Sequence, residues 1–183
     1  AAVAQNHPDL WRQIAKELGD RLRERFKKIR QANTVPHVFI ACASESIPVA
    51  DAFAARLEAE GVNVRKWTEG VFKLNDHSME SLEVQLDLMD FALAIFSPDD
   101  KVRSRKKEQS APRDNTVFEL GLFAGKIGRE RSFFVVPKGE HIKIPSDLAG
   151  ITSARYLEIE GSGYDVEDAC KQIIERIKDK GCR

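Results

Sequence analysis

One carboxylate stands inside an otherwise apolar segment, Glu119 in Arg113-Asp114-Asn115-Thr116-Val117-Phe118-Glu119-Leu120-Gly121-Leu122-Phe123. Acids are rarely buried without a partner. Either Glu119 reaches water at a helix edge, paired with Lys126 or Arg113, or a cleft here needs a carboxylate for catalysis. Asn115 is placed to cap a helix over 115–127. Glu119 then falls one turn later, on the face of Asn115 and Phe123, near the helix's positive end, which favours the ionised form.

Other chemistry is excluded by what the motifs lack. No Gly-x-x-x-x-Gly-Lys-Ser/Thr phosphate loop occurs, and no Gly-x-Gly-x-x-Gly follows the first predicted strand, where the turn reads Ala43-Ser44-Glu45-Ser46-Ile47-Pro48. His7, His37, His77 and His141 show no ligand spacing with one another or with Cys42, Cys170 and Cys182, which argues against zinc. No Gly-x-Ser-x-Gly elbow is present, although spacing alone leaves open a Ser–His hydrolase built on His77 or His141. The scattered, odd cysteines suit a reducing cytoplasm rather than a disulfide framework. Lys+Arg and Asp+Glu both number 29, so charge balance gives no reason to expect nucleic acid or an anionic membrane as partner. No apolar run approaches a membrane span. The chain opens on Ala1-Ala2 without Met, so a neighbouring domain is expected beyond it.

The elements that must position Glu119 follow from periodicity. Residues 7–31 read as an amphipathic helix, with Trp11, Ile14, Leu18, Leu22, Phe26 and Ile29 at steps of three and four. It is divided from the rest as a connector or brace, residues 1–34, ahead of a domain over 35–183. Within that domain Val38–Ala43, Phe91–Phe96 and Ser132–Val136 are short apolar runs, as expected of strands covered on both faces. Val62–Trp67 and Ala154–Ile159 alternate, as half-buried strands do. Helical spacing fills 46–60, 78–89, 115–127 and 166–178, and a long polar loop spans 97–114. This alternation predicts an α/β, flavodoxin-like three-layer fold with a five-stranded parallel sheet in the order 2-1-3-4-5. Ligands of such sheets bind beyond the carboxyl ends of the strands, which gathers the loops near 43–47, 68–78, 97–114 and 137–147.

Several segments together carry a resemblance. They are Val38-Phe39-Ile40 with Ser44, Val64-Arg65-Lys66-Trp67, Phe72, and Ser78-Met79-Glu80-Ser81-Leu82-Glu83. Asp90-Phe91-Ala92-Leu93-Ala94-Ile95-Phe96-Ser97-Pro98-Asp99-Asp100 and Arg113-Asp114-Asn115-Thr116-Val117-Phe118-Glu119-Leu120-Gly121 complete the set. In this order they resemble the TIR-like domains of bacterial anti-phage effectors, relatives of the Toll/interleukin receptor domain fused to STING-like or cyclic-nucleotide-sensing modules. The resemblance covers roughly 35–160. It implies an NAD⁺ nucleosidase that cleaves the nicotinamide–ribose bond, with NAD⁺ as substrate and no cofactor, and with Glu119 as the catalytic residue. It also implies homo-oligomers through TIR–TIR contacts and an upstream cyclic-nucleotide sensor. Nicotinamide leaves neutral from a pyridinium, so no acid is needed and one carboxylate can suffice, unlike most glycosidases.

The remaining candidates each carry two readings. Ser44 meets a phosphate or ribose, or caps the 46–60 helix. Trp67 and Phe72 stack on nicotinamide or adenine, or pack in the core. Asp99 and Asp100 bind ribose hydroxyls, orient Arg113, or simply form a turn after Pro98. Arg113 pairs with a phosphate or with Glu119. Ser97 and Asn115 join the binding set on the resemblance. The basic run Arg103, Arg105, Lys106 and Lys107 reads as a solvated loop or a pyrophosphate-steering patch. Two rival functions stay open: a non-catalytic TIR scaffold that signals by assembly, and a nucleoside deoxyribosyltransferase-like enzyme. Whether the product is linear or cyclic ADP-ribose is not written in these residues.

Overall fold

The computed structural model describes residues 8–27, 31–68, 78–104, 107–148 and 150–183. It divides into two units, one of Ala1–Ala32 with Arg183 and one of Asn33–Cys182. The first holds α1, Pro8–Lys27. Its polar side is knit by Asp9–Arg12, Glu17–Arg21 and Asp20–Arg23 pairs, each at helical spacing. Exposed pairs of this kind add only a few tenths of a kcal/mol each. Leu10, Trp11, Leu18 and Leu22 are exposed. Residues 28–30, toward the end of the expected helix, lie outside the described residues.

The second unit runs β1 (His37–Cys42), α2 (Ile47–Glu58), β2 (Asn63–Thr68), α3 (Ser78–Leu88), β3 (Phe91–Ile95), β4 (Asp100–Ser104) and β5 (Lys107–Ala111). It continues through α4 (Asp114–Ile127), β6 (Ser132–Pro137), β7 (Thr152–Ile159), β8 (Gly163–Asp165) and α5 (Glu167–Lys180). The main sheet has the order β2-β1-β3-β6-β7-β8. Its first five strands are parallel, which is the flavodoxin-like order predicted above. The strand count differs from the expected five, because β8 turns back antiparallel on β7. Gly161 and Gly163, at φ +71° and +96°, supply the left-handed backbone of that reversal. Three residues containing one glycine leave no apolar alternation to read.

The polar loop expected over 97–114 is also corrected. It folds into an antiparallel hairpin, β4–β5, separate from the main sheet. Polar residues such as Lys101, Gln109 and Ser110 occur on its strands, so the two-residue period that marks a half-buried strand is absent. Lys143 N–H donates to the Ser110 carbonyl at 2.8 Å and ties the hairpin to the loop after β6.

Two cores explain the continuous apolar runs of β1, β3 and β6. On one face Ile40, Leu93 and Val135 pack with Phe53 and Leu57 of α2 and Ile173 and Ile177 of α5. On the other, Phe39, Ala94 and Phe134 pack with Leu82 and Leu86 of α3 and Leu120 and Phe123 of α4. Helices on both faces leave a parallel sheet no wet side.

The edge opposite the carboxyl ends is pinned by Asp90, which has no exposed surface. Its Oδ2 accepts from the His37 backbone N–H at 2.9 Å and from Asn33 Nδ2 at 2.8 Å, joining the start of β1 to β3. Asp90→Ala strands both donors and is expected to lower stability by about 2–4 kcal/mol. Urea denaturation checks this, with Asp90→Asn expected to lose less.

Candidate functional site

The helix that carries Glu119 is started by a proline. Pro112 holds the chain extended at the end of β5, and α4 begins at Asp114. The cap position is Arg113 (φ −58°, ψ 133°), not Asn115, which is exposed inside the first turn. The expected Asn115 cap is thereby corrected. Capping favours a short acceptor side chain, but the Pro-Arg-Asp approach sets the extended backbone two residues earlier than the pattern suggested.

Thr116, Glu119, Leu120, Phe123 and Ile127 form the buried stripe of α4. Glu119 is 8% exposed, so it belongs to this stripe rather than to a solvent-facing edge. The reading of Glu119 as a surface acid is overturned. Lys126 pairs with Asp87 at 2.7 Å. Arg113 reaches Glu45 at 3.1 Å and Asp100 at 3.7 Å, bridging the turn after β1 to the start of β4 just ahead of α4.

The field at the sheet edge is registered by Cys42, the last residue of β1. Burial pushes its thiol up to about 12, and the carboxylates of Glu119, Asp51 and Asp99 push the same way against Lys66. Glu119 and Asp99, from different elements, thus both act electrostatically on the end of β1. Cys170, on the buried face of α5, is likewise pushed up to about 12 by burial. Both thiols stay protonated at neutral pH and are poor nucleophiles. A thiol reagent at pH 7 is expected to label the half-buried Cys182 first, with Cys42 and Cys170 reacting only as the domain unfolds. Above pH 9 the unfolded chain releases these protons before the folded one does, so stability should fall as pH climbs from 9 toward 12. Denaturant midpoints across that range, compared with Cys42→Ala, check the sign.

A second polar feature lies beside them. Ser46 Oγ and Ser97 Oγ are 2.6 Å apart and buried. Tyr156, on β7, is 3% exposed. Burial raises the Tyr156 phenol's pKa, the Ser97 hydroxyl lowers it, and Tyr164, Asp99 and Glu158 raise it further.

The other predicted residues distribute as follows. Ser44 is exposed in the 3₁₀ turn Ser44–Ser46 at the carboxyl end of β1; the residue before α2 is Ser46, so Ser44 is not its cap. Trp67, half-buried near the end of β2, sets its ring 5.8 Å from that of Phe39. Asp99, in the turn between β3 and β4, and Asp100, the first residue of β4, are half-buried. Phe72 lies outside the described residues, as do Arg105 and Lys106 of the basic run. Ser46, Glu45, Cys42 and Tyr156 were not legible as site residues. The signal for Ser46 was its place before Ile47-Pro48, a helix-start pattern. Among the described residues no group of three His, Cys, Asp or Glu side chains could hold a metal. No described helix is long and apolar enough to cross a membrane.

Fold and site together define a doubly wound α/β domain whose ligand edge carries a buried carboxylate on the helix after β3. The family described as CAP12/Pycsar effector protein, TIR domain, matches residues 37–158. The chain belongs to this family of TIR domains. Pycsar effector protein PaPycTIR of Pseudomonas aeruginosa is 44% identical over 175 residues, covering 94% of this chain and 57% of that protein. CD-NTase-associated protein 12 of Lachnospiraceae bacterium (strain RUG226) is 36% identical over 143 residues, 77% of this chain and 44% of that protein. A solved diflavin flavoprotein A3 from Nostoc sp. overlays with a TM-score of 0.43 at 15% identity, over 79% of this chain and 90% of that one. The chain thus spans about half the length of the curated relatives it matches.

Proposed function

We propose that this domain is the NAD⁺-cleaving part of an anti-phage effector. A cyclic-nucleotide sensor lies upstream in the whole protein, and clustering of the domain switches it on. The observation that carries the reading is Glu119, a carboxylate 8% exposed on an apolar helix, set at the carboxyl edge where α/β sheets bind ligands.

Water adds to the anomeric carbon of the nicotinamide ribose while the bond to the pyridinium nitrogen breaks. The bond's electron pair leaves with neutral nicotinamide, and the proton of water passes to solvent. Glu119 holds the ribose hydroxyls and faces the oxocarbenium-like charge as it develops. Being fixed in a mostly apolar setting, it needs little reorganisation to do so. Asp99, whose charge acts on the same strand end, adds negative potential to this edge.

Nicotinamide release by purified protein, dilute and then crowded, tests the reading. Release that rises steeply with concentration is the expected result. No release in either regime, with the full-length protein and its cyclic nucleotide also silent, would reduce the domain to a scaffold that works by assembly alone.

A further inference from the structure

At the carboxyl edge two turns far apart in sequence are joined by one buried polar contact, that of Ser46 with Ser97 at 2.6 Å. Ser46 occupies the N-cap of α2 yet makes no side-chain cap bond. A serine there ordinarily accepts from an N–H of the helix's first turn. Here its hydroxyl faces Ser97, and Pro48, which has no N–H, leaves one donor fewer to satisfy.

Both hydroxyls are shielded from water, Ser46 being 3% and Ser97 8% exposed. The contact therefore runs from just past the end of β3 to the start of α2, between residues 51 positions apart.

Each serine closes a turn that carries candidate site residues. Ser46 ends the turn holding Ser44 and Glu45. Ser97 opens the turn that runs through Asp99 to Asp100 at the start of β4. Glu45 and Asp100 in turn meet at Arg113, immediately before the helix of Glu119. Displacing either turn disturbs the approach to that helix.

We propose that the buried Ser46–Ser97 contact is a positioning device that locks the turn after β1 to the turn after β3 and so sets how tightly the site holds its substrate. This rests on the glycohydrolase reading above. It assigns Ser97 to the lock rather than to the substrate, with its hydroxyl turned toward Ser46. Losing the lock should weaken binding more than it slows the chemical step, because Glu119 is held by the separate apolar packing of α4.

Ser46→Ala and Ser97→Ala each remove one hydroxyl and leave the packing shape nearly intact. Each should raise the KM for NAD⁺ about tenfold, with kcat within about twofold, since small misplacements of binding groups carry losses of this size. The Ser46→Ala/Ser97→Ala double variant should be no worse than the poorer single one. Additive KM effects, or an unchanged KM beside an active wild type, would overturn the lock. A wild type that releases no nicotinamide defeats the glycohydrolase reading instead. The lock is then judged by amide exchange. Faster exchange in both 44–46 and 97–100 from either serine variant supports it, and faster exchange only in the substituted turn overturns it.

Discussion

Glu119→Gln is expected to lower nicotinamide release by at least about 10²–10³-fold, the loss usual when one preorganised charge-stabilising group is removed. The amide keeps the shape and length of the side chain and takes away only the charge. Since Glu119 lies in the buried stripe of α4 beside Leu120 and Phe123, the variant should stay folded. A change in stability within about 1–2 kcal/mol is expected, from exchanging an acceptor pair for one acceptor and one donor. Kinetics beside a thermal melt separates the two effects. A folded Glu119→Gln protein with wild-type turnover would remove the carboxylate from the chemistry, and the proposed function with it. A folded, inactive one would also show that Asp99 cannot substitute, although it bears on the same strand end.

Phe39→Ala should produce the largest loss of stability, about 3–5 kcal/mol, as other buried Phe-to-Ala changes do. Phe39 has no exposed surface. Its ring lies 4.5 Å from that of Phe123 and 5.8 Å from that of Trp67, so it joins β1, α4 and β2 at one point. Domain stabilities are commonly only 5–15 kcal/mol, so a loss of this size threatens folding itself. Phe39→Leu is the informative companion, with a smaller cavity and a loss of about 1 kcal/mol. Phe123 is one helical turn beyond Glu119, so this milder variant should still reduce activity by letting α4 settle. Urea denaturation measures the first effect and nicotinamide release the second. A Phe39→Ala loss below about 1 kcal/mol would mean that the aromatic cluster is not what seats α4.

The parallel core of the fold was legible because burial on both faces leaves a visible trace. Val38-Phe39-Ile40-Ala41-Cys42, Phe91-Ala92-Leu93-Ala94-Ile95 and Phe133-Phe134-Val135-Val136 have no polar residue to spare, and each became a central strand. The hairpin β4–β5 and the strand β8 left no such trace. Their residues are polar or few, and they pair through backbone groups that every residue carries. The start of α4 was misplaced for a related reason. Asn115 is the better capping side chain, but the backbone at Arg113 decided where the helix began.

The sequence by itself determined the layered α/β class and the helix that carries Glu119, because periodicity and apolar runs are local properties of the chain; the strand order of the parallel part followed only from the general rule for alternating strands and helices. It also held the motifs by which the family is recognised. Only the tertiary structure decided that Glu119 is buried rather than at a surface edge, and that Arg113 bridges Glu45 and Asp100. It alone showed that Ser46 turns from its helix cap toward Ser97, 51 residues away. Exposure and long-range pairing depend on which surfaces meet after folding, and residue spacing along one segment does not encode that.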